Sequence, residues 1–152
     1  MPTETLDSVT LEILWTRLVS AVDEAAAAFV RTSFSTLVRE ANDFAVVLTD
    51  AKGRSLAQSS MRIPSLIGTL PASVKHFIAH FTPAGLQPGD VLVTNDPWNG
   101  TGHVHDVSVA MPIFRNGELI AFAAATSHMP DIGGRLRNSG NREIFEEGLQ
   151  IP

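Results

Sequence analysis

The sequence predicts an α+β fold, a mixed or mainly antiparallel sheet flanked by helices with a long helix at the amino terminus. Three observations carry this. Apolar residues recur at helical spacing across residues 11–37, two β-like runs close on a glycine turn between 44 and 58, and a second pair of runs meets at Asn116-Gly117. At 152 residues the chain suffices for one domain with its own core, and no shift of composition marks an internal boundary.

Leu11, Trp15, Leu18, Val22, Ala25 or Ala26, Phe29 and Leu37 keep the three-to-four-residue period of a helix, which predicts one rod from Ser8 or Thr10 to about Glu40. Ser8 or Thr10 is placed to cap its first amides, and Glu12 suits the positive end of its dipole. The run Ala25 to Ala28 joins high helix propensity to a slim surface that admits close approach by another element. A rod of this size measures about 45 Å and suits a scaffold or a subunit interface better than a catalytic element.

Residues 44–49 read as a strand, Asp50-Ala51-Lys52-Gly53 as its turn and 54–58 as the returning strand, Gly53 supplying the positive φ of a short hairpin. Residues 59–68 lack periodicity and read as loop. Pro71 then opens a helix through Val74, Phe77 and Ile78, which Gly85-Leu-Gln-Pro-Gly89 breaks. Val91-Leu-Val-Thr94 has the texture of a buried strand, whereas Asn95-Asp-Pro-Trp-Asn-Gly-Thr-Gly102 specifies a loop with unusual backbone angles. Residues 107–113 and 118–126 form a hairpin through the tight turn Asn116-Gly117. The glycine- and arginine-rich stretch 132–141 reads as loop, and 142–147 as the start of a helix.

Composition narrows the function. The formal net charge is −5 and no two Lys or Arg residues are adjacent, which disfavours nucleic acid, since basic groups meeting phosphates supply most of that affinity. Cysteine is absent, so disulfides, thiolate nucleophiles and cysteine metal ligands are excluded, and any transition metal must use His, Asp, Glu or backbone oxygen. The segment Met1-Pro-Thr-Glu-Thr-Leu-Asp lacks the basic start and apolar run of an export signal, and no apolar stretch reaches the roughly 18 residues that span a bilayer. A cytoplasmic protein is expected, with neither nucleic acid nor membrane as partner.

The residues with chemical potential gather at predicted strand ends. His103-Val-His-Asp106 is echoed by His128-Met-Pro-Asp131, both His and Asp displaced by 25 residues, and the hairpin between them can bring the two copies together. Imidazole and carboxylate suit a divalent ion such as Mn, Fe or Zn. Residues three apart in a regular strand point to opposite faces, so His103 and Asp106 converge only where the chain bends, for which Gly100 and Gly102 provide. His103 and His105 would share a face of an undistorted strand, making them a competing ligand pair; alternatively His105 supports a ligand carboxylate or water. The same side chains equally suit structural hydrogen bonding, with Asp96, Asp106 and Asp131 organising turns, and less readily metal-free acid/base chemistry. Ser127 beside His128 makes no triad by adjacency, and no nucleophile elbow is present. Arg135 and Arg137 suit solvent or partner salt bridges better than an anionic substrate. Asp96 suits a turn better than a substrate role, and Trp98 suits loop packing at least as well as cover for an organic substrate.

The stretch Gly89-Asp-Val-Leu-Val-Thr-Asn-Asp-Pro-Trp-Asn-Gly-Thr-Gly-His-Val-His-Asp106, together with Ser127-His-Met-Pro-Asp-Ile-Gly-Gly134 and Glu146-Glu-Gly-Leu-Gln-Ile-Pro152, resembles the hydantoinase B and 5-oxoprolinase family, which includes catalytic subunits of acetone carboxylase-like enzymes. Arg39-Glu-Ala-Asn-Asp-Phe44 and Asp50-Ala-Lys-Gly-Arg-Ser-Leu-Ala-Gln58 resemble it too, so the likeness extends over nearly the whole chain. Where the family has Gly-Gly-Thr-His-Leu-Pro-Asp, this chain reads Gly100-Thr-Gly-His-Val-His-Asp106, retaining the His and Asp positions and changing the loop around His105. The resemblance implies that residues 1–152 are the amino-terminal portion of a longer catalytic subunit. It implies a metal held by His103, Asp106 and His128, with Asp131 a nearby acidic candidate ranked below them; the catalytic candidates are Asp131 and His105, the latter standing where the family pattern has proline. It further implies ATP-coupled hydrolysis of a small cyclic amide, such as a hydantoin or 5-oxoproline. No phosphate-cradling Gly-x-x-x-x-Gly-Lys-[Ser/Thr] run occurs, so ATP is expected on a hydantoinase A-like partner or another domain, with Gly100, Gly102, Gly133 and Gly134 shaping loops. The alternatives are ATP-dependent carboxylation of a ketone-like substrate and a noncatalytic assembly subunit.

Overall fold

The computed structural model describes residues 6–135 and 138–152. Along the chain run helices α1 (Ser8–Thr32) and α2 (Thr36–Ala41), strands β1 (Phe44–Asp50) and β2 (Ser55–Gln58), helix α3 (Pro64–Phe81), and strands β3 (Leu92–Thr94), β4 (Asp106–Arg115) and β5 (Glu118–His128). The strands form one five-stranded sheet in the order β2-β1-β5-β4-β3, and every neighbouring pair is antiparallel. The α+β class is borne out, with the sheet antiparallel throughout. Among the described residues no helix is long and apolar enough to cross a membrane.

Helix α1 is capped by Asp7 rather than by Ser8 or Thr10. Asp7 Oδ1 accepts from the amides of Val9 and Thr10, both at 3.0 Å, and the Thr10 hydroxyl donates to Asp7 Oδ2 at 2.6 Å. The helix also stops at Thr32, short of the expected Glu40. There the Thr32 hydroxyl donates back to the carbonyls of Ala28 and Phe29, and Ser33 turns extended, the kind of side-chain competition through which Ser and Thr end helices. Leu37 kept the apparent period because α2 restarts the helix a few residues later.

Helix α3 begins at Pro64, within the stretch read as loop, and Pro71 lies inside it. Pro64 occupies the first helical turn, where a missing N–H costs nothing. An interior proline costs about 3 kcal/mol, but the longer helix buries Leu66, Leu70, Val74 and Phe77 on one face, each worth about 1.5–3 kcal/mol. Packing therefore wins. The helix expected over 142–147 is a single 3-10 turn at Ile144–Glu146, with Glu143 extended before it and Gly148 at φ 138° after it.

Alternation along the strands divides the core in two. On one face α3 packs against Ala45, Val47, Ala110, Phe122 and Ala124; on the other Val22 and Ala26 of α1 pack with Phe44, Val46 and Ala57. The β4–β5 hairpin turns through Asn116 and Gly117, whose φ values of 53° and 80° are those of the expected tight turn. A β-bulge interrupts it, since Phe114 pairs with Leu119 but Ile113 pairs with Ala121, leaving Ile120 without an opposite number.

Candidate metal centre

Along the α3 face of β4 and β5, the cross-strand pairs run Ala110 with Ala124, Ser108 with Thr126, and Asp106 with His128. The face thus passes from apolar to hydroxyl to titratable over successive rungs. The Ser108 hydroxyl donates to that of Thr126 at 3.0 Å, and at the last rung His128 Nδ1 lies 3.1 Å from Asp106 Oδ1. Burial of the carboxylate is nearly complete, with Asp106 6% exposed.

His103 reaches the same oxygen from the loop before β4. That loop turns back on itself, the Asp106 amide donating to the His103 carbonyl at 3.3 Å, and it brings His103 Nε2 to 3.2 Å from Asp106 Oδ1. The bend that the glycines made feasible is present, with Gly102 at φ 106°. One donor atom from each of His103, Asp106 and His128 falls within a common 4.8 Å. Two imidazole nitrogens and a carboxylate oxygen so placed fit a divalent ion with coordination positions left for water or substrate.

His105 is 1% exposed and stacks on both ligand candidates, with ring centroids 5.4 Å from His128 and 5.5 Å from His103. Its carbonyl accepts from the Met129 amide at 2.7 Å, which extends the β4–β5 pairing past the last rung. Asp131 lies outside the cluster. It is exposed, and its Oδ1 accepts from the Gly133 amide at 2.8 Å, organising a turn at the rim. Asp96 likewise holds a turn, accepting from the Trp98 amide and from Asn99 Nδ2, and this turn presents Trp98 to solvent at 88% exposure. Ser127 directs its hydroxyl towards the carbonyls of Asp43 and His128 rather than to an imidazole. The exposed Arg135 is fixed through its backbone, its amide donating to the Glu146 carbonyl at 2.7 Å; Arg137 lies outside the described residues.

Sequence reasoning missed the residue that holds the loop. Asn95, 2% exposed, donates from Nδ2 to the carbonyls of Val104 at 2.7 Å and Leu149 at 2.8 Å, while its Oδ1 accepts from the Ile151 amide at 2.6 Å. It clamps the His103 loop to the segment 149–151, partners more than fifty positions away that no local pattern announces. A second closure joins the rim loop to the same segment. A Cβ on Gly134 would lie 2.5 Å from the Gly148 amide nitrogen, so only glycine permits this approach.

The sequence model of the hydantoinase B/oxoprolinase family matches residues 7–152. The chain belongs to that family. Among hydantoinase B/oxoprolinase relatives, it is 35% identical to a 5-oxoprolinase of Saccharomyces cerevisiae over 96% of its own length and 12% of the yeast protein's. It superposes on an ATP-dependent caprolactamase from Pseudomonas jessenii with a TM-score of 0.82 and 29% identity, covering 98% of this chain and 26% of that one. Against a nucleotide-free acetone carboxylase structure the TM-score is 0.81 with 28% identity, covering 92% of this chain and 19% of the other. The chain thus spans about a quarter or less of the length of these relatives.

Proposed function

We propose that this chain supplies the metal-binding part of a larger enzyme that hydrolyses a small cyclic amide in an ATP-coupled reaction, with ATP handled by a hydantoinase A-like partner or domain. The observation that carries it is the convergence of His103 and His128 on one oxygen of the buried Asp106, in a family whose relatives bear oxoprolinase and caprolactamase names. His103, Asp106 and His128 would hold the ion. A divalent metal bound there supplies Lewis acidity to a carbonyl, or a water of lowered pKa. His105 keeps both ligand rings in place by stacking, and it and the exposed Asp131 are the candidates for proton transfer.

A specific observation favours a second reading, the likeness to acetone carboxylase, which supports ATP-dependent carboxylation of a ketone-like substrate. The ligand set serves either reaction. Metal analysis by inductively coupled plasma, on complex purified without chelator or histidine tag, tests the centre. His103→Ala, Asp106→Ala and His128→Ala should each lower metal occupancy and activity together, while Arg115→Ala at the far end of the hairpin should change neither. An active complex free of metal, with activity untouched by all three substitutions, sinks the metal reading and leaves a role in assembly. Phosphate release stimulated by a lactam supports hydrolysis, and release requiring a ketone with bicarbonate supports carboxylation.

A further inference from the structure

The five histidines of the chain fall into two groups. Three gather beside Asp106, and the other two, His76 and His80, stand four residues apart in α3. Side chains at that spacing rise from one face of a helix with their Cβ atoms about 5–6 Å apart. This is how a His-x-x-x-His run on a helix grips zinc from two sides. Both imidazoles are exposed, both line one pocket of about 100 Å³ together with Thr94 and Asn99, and neither has a hydrogen-bond or ion-pair partner among the described residues. The His80 ring is steadied by an edge-on contact with Phe81, centroids 4.8 Å apart.

Two further features favour a cation here. His80 stands in the last turn of α3, where the unpaired carbonyls make the negative end of the helix dipole. The donor set then selects the ion. Among the described residues no Asp or Glu lines this pocket, so an ion in it meets imidazole nitrogen, which suits zinc, copper and nickel. The centre on the β4–β5 hairpin also offers the Asp106 carboxylate, and carboxylate oxygen suits manganese. We infer that His76 and His80 form a second divalent-metal site, selective for nitrogen-preferring ions such as zinc, with water completing the coordination on the solvent side. The pair is independent of the His103 centre and of the reaction proposed for it.

The difference in donors lets the two sites be counted apart. The full 152-residue chain is dialysed to equilibrium against Zn²⁺ or Mn²⁺, and bound ion is measured by inductively coupled plasma. Zinc uptake should exceed manganese uptake by one equivalent per chain. His76→Ala and His80→Ala should each weaken that extra site at least about tenfold, the scale on which metal affinity answers to changes around a ligand, and leave manganese uptake unaltered. His76→Ala combined with Lys75→His keeps two histidines in α3 but sets them five residues apart on diverging faces, so it too should lose the extra zinc. All three positions are exposed, and circular dichroism verifies that the variants stay folded. Zinc should also raise the unfolding temperature of a His103→Ala chain, which retains the pair, and should not raise that of His103→Ala with His80→Ala. Equal uptake of the two ions, or an extra equivalent that survives His80→Ala or the five-residue spacing, overturns the inference. A chain that takes zinc at the pair and no manganese keeps this site and removes the metal centre, whereas one that takes both ions equally does the reverse.

Discussion

On one face of the sheet, Leu66, Leu70, Val74 and Phe77 of α3 close over β1, β4 and β5; on the other, α1 covers β1 and β2 but leaves Val91, Val109, Met111 and Ala123 around an open apolar trough of about 250 Å³. The candidate metal centre continues the closed face, because Asp106 and His128 share the side of Ala110 and Ala124. The difference teaches where precision is kept. Two imidazoles meet one carboxylate oxygen at 3.1 and 3.2 Å only if the strands beneath them are fixed, and a sealed core fixes them. The open face has no such duty, and the first turns of α1 show the same looseness, with Val9, Leu11, Ile13, Leu14 and Trp15 all exposed.

Leu70→Ala should break the comparison most strongly if it is wrong. Leu70 is fully buried, and such truncations cost about 2–5 kcal/mol from lost burial and the cavity left behind. Denaturant unfolding measures it, and a loss no larger than that of an open-face substitution would erase the distinction between the faces. Asn95→Ala should come next, at about 1–3 kcal/mol, because it strands the buried carbonyl of Val104 and the amide of Ile151. Unlike Leu70→Ala, it should also weaken metal retention at concentrations where the protein stays folded, since it frees the loop that carries His103. Met111→Ser, on the open face, should shift stability by no more than about 0.5 kcal/mol.

The smallest effect belongs to the exposed start of α1. Hydrogen bonding from the Thr10 hydroxyl, aided by the amides of Thr10 and Val9, holds the Asp7 carboxyl below its usual pKa. A carboxyl lowered on folding stabilises above its unfolded value, and that contribution is lost as pH falls through the folded one. Helical circular dichroism of α1 should therefore decline slightly on acidification through the carboxylate range, and Asp7→Asn, which still caps, should remove that pH dependence while leaving the helix in place at neutral pH.

Both hairpins were legible in the sequence because period-two alternation and glycine turns are local signals, and of the four residues in the 25-residue echo the structure brings together His103, Asp106 and His128 but not Asp131. What escaped depended on context. The break in α1 hid behind a helical period that resumed in phase at Leu37, and the start of α3 hid because residues 59–68 read as aperiodic loop and Pro71 as the opening of the helix. Leu66, Leu70, Val74 and Phe77 were the available signal for the earlier start. Asn95 could not be singled out, since its surroundings arise only when 149–151 folds back beside the His103 loop.

The unpaired Ile120 records a disagreement between two instructions in the same hairpin. The Asn116-Gly117 turn sets Arg115 opposite Glu118, and counting onward without interruption would set Asp106 opposite Ser127 and turn Phe122 away from α3. The apolar side chains of Phe122 and Ala124 demand the other parity. One residue of slack at Ile120 lets both be obeyed, and the change of phase is inherited unaltered down the remaining rungs until it delivers His128, rather than Ser127, to Asp106. The partner of the buried carboxylate is thus chosen by a hydrophobic preference several rungs away, and any lengthening or shortening of β5 between Ile120 and His128 would have to be matched by an equal change in β4 to preserve it.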